Sequence, residues 1–309
     1  MIVVRNHRVR LGNDNVELAF DSLTGELIEL LNKVTGENVL KNWSNQRSMP
    51  FALVIRKESG ETFTATAPVY KQILSDKRLQ PSIDVSRSED GTRTIRIAFG
   101  RLYSAAGNLN IRTTVCVSVA PEQYETLWTI QVENGERDLI VESVRFPCIF
   151  GVYMGETWKD DVLVYPFNSG EKIENPVEMY EKPPAVVGWK WQEYKYTYFT
   201  GAVNTSKDDD GAYVREFQYS GPLSMMWLDY YDSNQGLYIA SYDEQFNVAA
   251  LHCETFGAEK PGMGFYAVKY PHIEGGREWK SNRFAVAVHP GDWHWGAEKY
   301  GSWRRSIES

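Results

Sequence analysis

Residues 111–133 read IRTTVCVSVAPEQYETLWTIQVE, and this stretch decides the fold class. Alternate positions of its first part are apolar: Ile111, Val115, Val117 and Val119. The second part repeats the pattern, because Tyr124, Trp128, Ile130 and Val132 alternate with more polar positions. Side chains of a strand point alternately to the two faces of a sheet, so a period of two predicts half-buried antiparallel strands.

The same alternation recurs on both sides of this stretch. Tight turns separate the apolar runs, as at residues 89–91 (EDG) and 133–135 (ENG). Many short strands joined by such turns predict an all-β sandwich rather than an α/β architecture. Further predicted strands are Val3–Leu11, Val16–Phe20, Leu27–Lys33, Phe51–Arg56, Arg93–Phe99, Tyr213–Tyr219, Leu237–Tyr242, Phe246–His252, Gly264–Lys269 and Asn282–Val288.

Two segments lack this alternation of apolar and polar residues. Residues 154–195 are rich in proline, glycine and tryptophan and are predicted to form long connections across one face of a sheet. Residues 204–211 (NTSKDDDG) are predicted to form a solvated loop, because the acidic run lacks the spacing of a calcium loop. Neither segment has the composition of a linker, so residues 1–290 are predicted to form one domain.

Composition excludes several classes of function. The chain of 309 residues has a formal net charge of −8 and no lysine- or arginine-rich block, which argues against a nucleic-acid partner. No apolar run reaches the ~18 residues of a membrane span, and arginines break the N-terminal apolar stretch, so neither a span nor a signal peptide is predicted in the given chain. Nothing indicates a cellular location.

The motifs of several reaction types are also missing. The three cysteines are far apart, which predicts buried free thiols rather than a disulfide framework or a zinc site. No glycine-rich phosphate loop and no G-x-S-x-G elbow is present, which argues against phosphoryl transfer and serine hydrolysis. No metal and no cofactor is predicted.

The C-terminal residues 291–309 have a helical pattern instead. Asp292 is a good N-cap, and apolar residues then recur at helical spacing, which predicts a helix with a broad aromatic stripe. This stripe needs a cover, which is either the sandwich itself or a further domain. As domain-interface residues we predict Trp293, Trp295, Tyr300 and Trp303.

Three stretches carry a resemblance to a known group of proteins. They are residues 11–40 (LGNDNVELAFDSLTGELIELLNKVTGENVL), residues 227–244 (WLDYYDSNQGLYIASYDE) and residues 286–300 (VAVHPGDWHWGAEKY). Together they resemble the N-terminal β-domain of large glycoside-hydrolase-like proteins. The resemblance implies an antiparallel, galactose mutarotase-like β-supersandwich, followed by a helix that leads into a (β/α)8 barrel.

In such proteins hydrolysis belongs to the barrel, whose carboxylates lie at strand ends. The resemblance therefore implies an accessory domain without catalytic residues of its own. Its partners would be a C-terminal catalytic barrel, if this chain is part of a longer protein, and a poly- or oligosaccharide.

Carbohydrate contact is predicted from aromatic residues. The chain has 10 Trp, 18 Tyr and 13 Phe, which suit either a β core or a surface on which the C–H faces of sugars stack. The predicted carbohydrate-binding residues are Trp158, Asp160, Trp189, Trp191 and Tyr194. The alternative is that this aromatic strip is the inner face of the sandwich or the seat of a barrel.

The histidines leave a second class of function open. Mutarotases that resemble this fold use a carboxylate base and a histidine acid, so His252 near Glu254, or His272 near Glu274, would indicate a free-standing aldose epimerase or polysaccharide lyase. His289 and His294 flank a Pro-Gly-Asp turn and are predicted to hydrogen-bond across a strand-to-helix corner rather than to bind metal. The third alternative is a structural or interaction domain without a glycan role.

Overall fold

The computed structural model describes residues 4–5, 7–41, 49–182, 206–208 and 210–308. The strands in the first half are β1 (Val4–Arg5), β2 (Arg8–Gly12), β3 (Val16–Asp21), β4 (Leu27–Asn32), β5 (Glu37–Asn38), β6 (Ala52–Lys57), β7 (Thr62–Thr66), β8 (Ser82–Arg87), β9 (Arg93–Phe99), β10 (Leu102–Ser104), β11 (Gly107–Leu109), β12 (Ile111–Val119), β13 (Glu125–Asn134), β14 (Leu139–Arg145) and β15 (Ile149–Val152). Those in the second half are β16 (Val162–Tyr165), β17 (Glu171–Glu174), β18 (Ser206–Lys207), β19 (Tyr213–Tyr219), β20 (Trp227–Tyr231), β21 (Gln235–Tyr242), β22 (Ala249–Thr255), β23 (Met263–Lys269), β24 (Glu278–Lys280) and β25 (Arg283–Pro290). The helices are α1 (Tyr70–Ser75), α2 (Pro176–Glu181) and α3 (Trp293–Glu308), with a 3₁₀ turn at Lys77–Leu79.

The strands form three antiparallel sheets. The small sheet has the order β1-β2-β3-β4-β5. The first large sheet has the order β11-β10-β7-β6-β14-β23-β22-β19-β18, and β15 also pairs with β23. The second large sheet has the order β17-β16-β20-β21-β25-β13-β12-β9-β8, and β24 also pairs with β13. The prediction of an antiparallel sandwich is confirmed.

The stretch at residues 111–133 lies in the second large sheet, as its alternation predicts. β12 and β13 pair so that Val115 lies opposite Ile130 and Val117 opposite Trp128. These four side chains are fully buried in the main core, which the two large sheets enclose and to which the small sheet adds Leu11, Leu18 and Phe20. Burial of such side chains is the main stabilising contribution to a fold of this kind.

The second large sheet is covered on both faces at β20 and β21. Every residue of β20 and β21 is buried, because alternate residues face the main core and the remainder face α3. Helix α3 folds back onto this outer face, where Tyr300 and Trp303 are 3% and 8% exposed. The ring of Trp303 stacks on Tyr242 with centroids 4.8 Å apart. In this chain the aromatic stripe of the helix is therefore covered by the sandwich.

Several predicted boundaries were wrong for local reasons. The predicted strand Phe246–His252 begins only at Ala249, because Phe246 has a φ of 52° in the loop that follows Asp243. The predicted strand Val3–Leu11 is divided at His7, which has a φ of 62°, into the paired strands β1 and β2. Such left-handed conformations are uncommon for residues other than glycine, so alternation alone did not indicate these turns.

The described part of the segment 154–195, residues 154–182, is more regular than predicted. It contains the β16–β17 hairpin and helix α2. Asn175 caps α2 through its side chain, which accepts a hydrogen bond from the amide of Glu178, and Pro176 occupies the first turn. One of the prolines that suggested a long connection, Pro176, therefore begins a helix instead.

Candidate functional site

The corner between β25 and α3 contains a buried histidine–carboxylate pair. Nε2 of His289 lies 3.0 Å from Oδ2 of Asp229, and both residues are 0% exposed. Nδ1 of His289 lies 3.1 Å from the carbonyl of Pro290, and the indole of Trp295 stacks on the imidazole at 4.4 Å. We call Asp229, His289 and Trp295, with the two glycines described next, the corner lock.

Two glycines make room for this pair. Gly236 of β21 lies between Asp229 and His289, and a Cβ there would approach the imidazole to 2.6 Å and Oδ1 of Asp229 to 2.8 Å. Gly296 of α3 covers the pair from above, and a Cβ there would lie 2.4 Å from Oδ2 of Asp229. Contacts this short leave no space for any side chain, so these glycines allow the helix to lie directly on the sheet.

The hydrogen bonds of the corner lock define where its protons lie. A carbonyl only accepts, so Nδ1 of His289 carries a proton, while Nε2 and the Asp229 carboxyl share another. Burial raises the pKa of Asp229, and the hydrogen bond from His289 opposes this rise. The arrangement is closed to solvent. The pair therefore serves as a structural link between the sheet and the helix.

All three stretches that carry the resemblance meet near the corner lock. Asp229 and Gln235 belong to residues 227–244, and His289 belongs to residues 286–300. Gln235 is 1% exposed and accepts hydrogen bonds from Asn32 at 3.0 Å and Thr35 at 2.8 Å, which both belong to residues 11–40. The recognisable motifs are therefore used to join the helix corner to the small sheet and the second large sheet.

A second histidine lies on the outer face of the first large sheet. His252 of β22 is flanked by Glu216 on β19 and Tyr266 on β23, which are its register partners. Its Nδ1 lies 3.3 Å from Oε2 of Glu216, and its Nε2 lies 3.0 Å from Oε2 of Glu254. The imidazole stacks on Tyr266 at 4.1 Å, and the guanidinium of Arg145 lies 5.5 Å from the Tyr266 ring.

These contacts favour the protonated form of His252. Burial alone lowers the pKa of His252, but the hydrogen bonds and charges of Glu216 and Glu254 outweigh burial and raise that pKa above its ordinary value. A histidine acid for a sugar needs an N–H directed at the ring oxygen. Both ring nitrogens of His252 instead face carboxylates of this chain, and His252 is 7% exposed.

His272 has a different partner from the one predicted. Its Nδ1 lies 3.1 Å from Oε1 of Glu142 rather than near Glu274, and the same oxygen accepts a 3.0 Å hydrogen bond from Arg56. The hydrogen bond from Arg56, together with His272, holds the pKa of the Glu142 carboxyl below its usual value. This group is a surface ion pair, and such pairs contribute little to stability.

The predicted carbohydrate-binding residues are only partly described. Trp158 is half-buried against the main core, and Asp160 is exposed two residues later. Trp189, Trp191 and Tyr194 lie outside the described residues, so the predicted aromatic strip stays a prediction. Beside Asp160, Asp161 is fully buried, accepts a 2.5 Å hydrogen bond from Tyr230, and has its pKa raised by burial to about 7.

The predicted interface residues of α3 fall into two groups. Tyr300 and Trp303 face the sandwich, whereas Trp293 and Trp295 are half-buried at the start of the helix. Trp293 lines a cavity of about 400 Å³ together with Trp227 and Met225. The amide of His294 donates to Oδ1 of Asp292 at 3.1 Å, which confirms Asp292 as the N-cap.

The remaining sequence predictions concern the cysteines, metal binding, membrane spans and the acidic loop. Cys116, Cys148 and Cys253 are free thiols, and Cys116 is only half-buried. In the described ranges, no group of three or more His, Cys, Asp or Glu side chains is placed to hold a metal ion. The described helices include none with the length and apolarity needed to cross a bilayer. Asp208 closes a turn by accepting hydrogen bonds from the amides of Asp210 and Ala212.

A polar cavity lies at one end of the sandwich, and sequence reasoning missed it. Its volume is about 980 Å³, and it lies between the β21–β22 loop, the end of β23 and the β24–β25 segment. We call it the end cavity. Its wall includes the buried ion pair between Lys269 and Asp243, with Nζ 2.7 Å from Oδ2. These residues are 26 positions apart in the sequence, and no local motif joins them.

The fold is similar to that of several solved structures. The sequence matches no protein-family model and no curated protein. The structure is similar to the α-galactosidase from Lactobacillus brevis, with a TM-score of 0.53, 7% identity, and coverage of 98% of this chain and 42% of that one. It is also similar to a GH36 α-galactosidase from Geobacillus stearothermophilus in complex with stachyose, with a TM-score of 0.53, 8% identity, and coverage of 96% and 43%.

A shorter protein matches over almost its whole length. It is a galactose mutarotase-like protein from Clostridium acetobutylicum, with a TM-score of 0.51, 8% identity, and coverage of 92% of this chain and 95% of that one. This chain spans less than half the length of the two α-galactosidases. The predicted fold is therefore confirmed: the chain is a galactose mutarotase-like β-supersandwich, a fold that glycoside hydrolases also contain.

Proposed function

We propose that this chain is a non-catalytic accessory domain of a carbohydrate-active protein, in which the sandwich gives a catalytic domain a rigid support. The corner lock is the observation that carries this proposal. It fixes the direction of α3 through a fully buried pair, two glycines and a stacked indole, and the three glycoside-hydrolase-like stretches meet around it.

The accessible start of α3 is the proposed contact with a catalytic domain. Trp293 and Met225, which is 39% exposed, line the same apolar cavity beside the corner lock. By contacting a catalytic domain at this point, the sandwich would hold that domain in a fixed orientation. A support domain contributes to catalysis through such positioning.

The second candidate function is a free-standing aldose epimerase. It is favoured by the position of His252 on a sheet face, between two carboxylates. The Glu216 side chain is 42% exposed, and its departure from His252 would free Nδ1. We rank it second because the described structure directs both ring nitrogens at carboxylates of the chain itself.

One set of assays separates the two functions. The purified chain is mixed with freshly dissolved α-galactose in a polarimeter, and with raffinose or stachyose in a hydrolysis assay. A support domain leaves the mutarotation at the buffer rate and both oligosaccharides intact. Mutarotation above the buffer rate that disappears in His252→Gln, with His294→Gln as the matched exposed control, would show that the chain is an enzyme.

A further inference from the structure

The end cavity has the size and lining of a small-molecule site. Its volume of about 980 Å³ falls at the upper end of the ~300–1,000 Å³ typical of ligand pockets. Its rim consists of exposed residues of the β21–β22 loop, among them Gln245 and Asn247, and of Tyr270 after β23. The floor of this cavity contains buried polar groups, among them Asp243 and Lys269.

Asp243 organises that floor. Its carboxylate accepts hydrogen bonds from Nζ of Lys269 at 2.7 Å, from the amide of Gln245 at 3.0 Å, and from the side chain of Asn247 at 3.3 Å. Asp243 and Lys269 are only 7% and 4% exposed. Removing two charges from water is unfavourable unless they are well paired. The three donors to Asp243 meet that requirement and also fix the loop that forms the rim.

Lys269 keeps hydrogen-bonding capacity for a ligand. An ammonium has three N–H donors, and the bond to Asp243 is the one that the described part of the chain provides. Burial lowers the pKa of Lys269, while Asp243 opposes this change. Because Lys269 is buried, water has little access to its remaining N–H groups. A ligand oxygen that accepts a hydrogen bond from this ammonium would take the place of that water.

The remaining lining favours a neutral polar ligand with apolar C–H faces. Five charged residues line the cavity, and four of them form the pairs Arg283–Glu244 at 3.3 Å and Lys269–Asp243 at 2.7 Å. The fifth, Lys280, is exposed to solvent. Asn247 and Asn282 contribute amides, and Trp279 and Tyr270 contribute aromatic rings. Amides bind hydroxyl groups in both directions, and aromatic rings stack on the C–H faces of pyranoses.

We propose that the end cavity is a carbohydrate-binding site for a neutral oligosaccharide, with Tyr270 as a stacking ring and Asn247 and Lys269 as hydrogen-bonding groups. The choice of a sugar rests on the proposed function, whereas the cavity itself does not. The site shares no residue with the corner lock.

Binding is measured by isothermal titration calorimetry on the full chain. The probes are raffinose, stachyose, maltotriose, cellotriose and mannotriose at millimolar concentration. We expect at least one of them to bind. Tyr270→Ala should weaken that affinity roughly threefold to tenfold, because a ring contact is lost, while Tyr270→Phe should retain it. Asn247→Ala should weaken it about fivefold, because one hydrogen bond is lost.

Matched controls keep the result interpretable. Tyr70→Ala and Asn108→Ala replace exposed residues outside the cavity and should leave the affinity unchanged. Circular dichroism establishes that each variant is folded. The proposal is overturned if no probe binds, or if Tyr270→Ala and Asn247→Ala bind like the wild type. It is also overturned if affinity is lost only in Trp189→Ala with Trp191→Ala.

The turnover assays test the proposed support function, whereas the binding titrations test the end cavity. Binding at the end cavity without turnover sustains both this site and the proposed support function. Binding accompanied by turnover sustains the site and contradicts the support function.

Discussion

His289 and His252 lie in regions that look alike but differ in chemistry. Each imidazole is buried, lies parallel to an aromatic ring and faces a carboxylate at 3.0 Å. The second partner differs, since His289 donates to the carbonyl of Pro290 and His252 faces the further carboxylate of Glu216. The comparison shows that burial and stacking alone do not define a histidine site, because at His252 two carboxylate partners raise the pKa of the imidazole despite its burial.

The largest expected effect is in the corner lock. Asp229→Ala leaves His289 buried without its carboxylate, and breaking a buried pair typically lowers the free energy of unfolding by about 3–5 kcal/mol. Urea unfolding followed by tryptophan fluorescence measures this loss. Asp138→Ala is the matched control, because Asp138 is exposed and its replacement should change stability by less than ~0.5 kcal/mol. A small effect of Asp229→Ala would mean that α3 is held by its aromatic stripe alone.

Two glycines of α3 give a sharper test of the same region. Gly296→Ala places a methyl group 2.4 Å from Asp229 and should lower the free energy of unfolding by about 1–3 kcal/mol. Gly301→Ala in the same helix meets only the flexible end of Arg305 at 3.4 Å, so its higher helix propensity should raise stability by up to ~1 kcal/mol. Thermal unfolding of both variants measures the contrast. Equal effects would show that the helix does not lie on the Asp229–His289 pair.

The smallest expected effect concerns the pH dependence of His252. Its pKa is raised in the folded state, so its pairing stabilises the protein fully below the ordinary histidine pKa of about 6.5. That contribution is lost as the pH rises through the folded-state pKa. The difference in unfolding free energy between wild type and His252→Gln should therefore be larger at pH 6 than at pH 9. His294→Gln is the control, and a difference that grows with pH would contradict the assignment.

Sequence reasoning succeeded where the determinants are local. The alternation of Ile111–Val119 and Tyr213–Tyr219 predicted β12 and β19, and Asp292 marked the start of α3. The supersandwich came from three stretches whose side chains meet in space. Their polar residues shape that meeting point, which is why short motifs carried information about the whole fold.

The sites were less predictable because their contacts are distant along the chain. Glu216 is 36 positions from His252, and Asp243 is 26 positions from Lys269. Gly236 and Gly296 have no side chain to signal their role, which depends on a helix lying on a sheet. Glu254, two positions from His252, could be recognised in the sequence. Glu216 could not, although its carboxylate faces the second ring nitrogen of His252 and so argues against a histidine acid.

The central claim is that α3 is a rigid part of the sandwich, fixed by the corner lock. Amide hydrogen exchange followed by mass spectrometry measures this directly, because exchange from a docked helix requires its release from the sheet. We expect residues 298–305 to exchange as slowly as β21 and β25 in the wild type, and much faster in Asp229→Ala. Rapid exchange of α3 in the wild type, while β21 and β25 stay protected, would contradict the account.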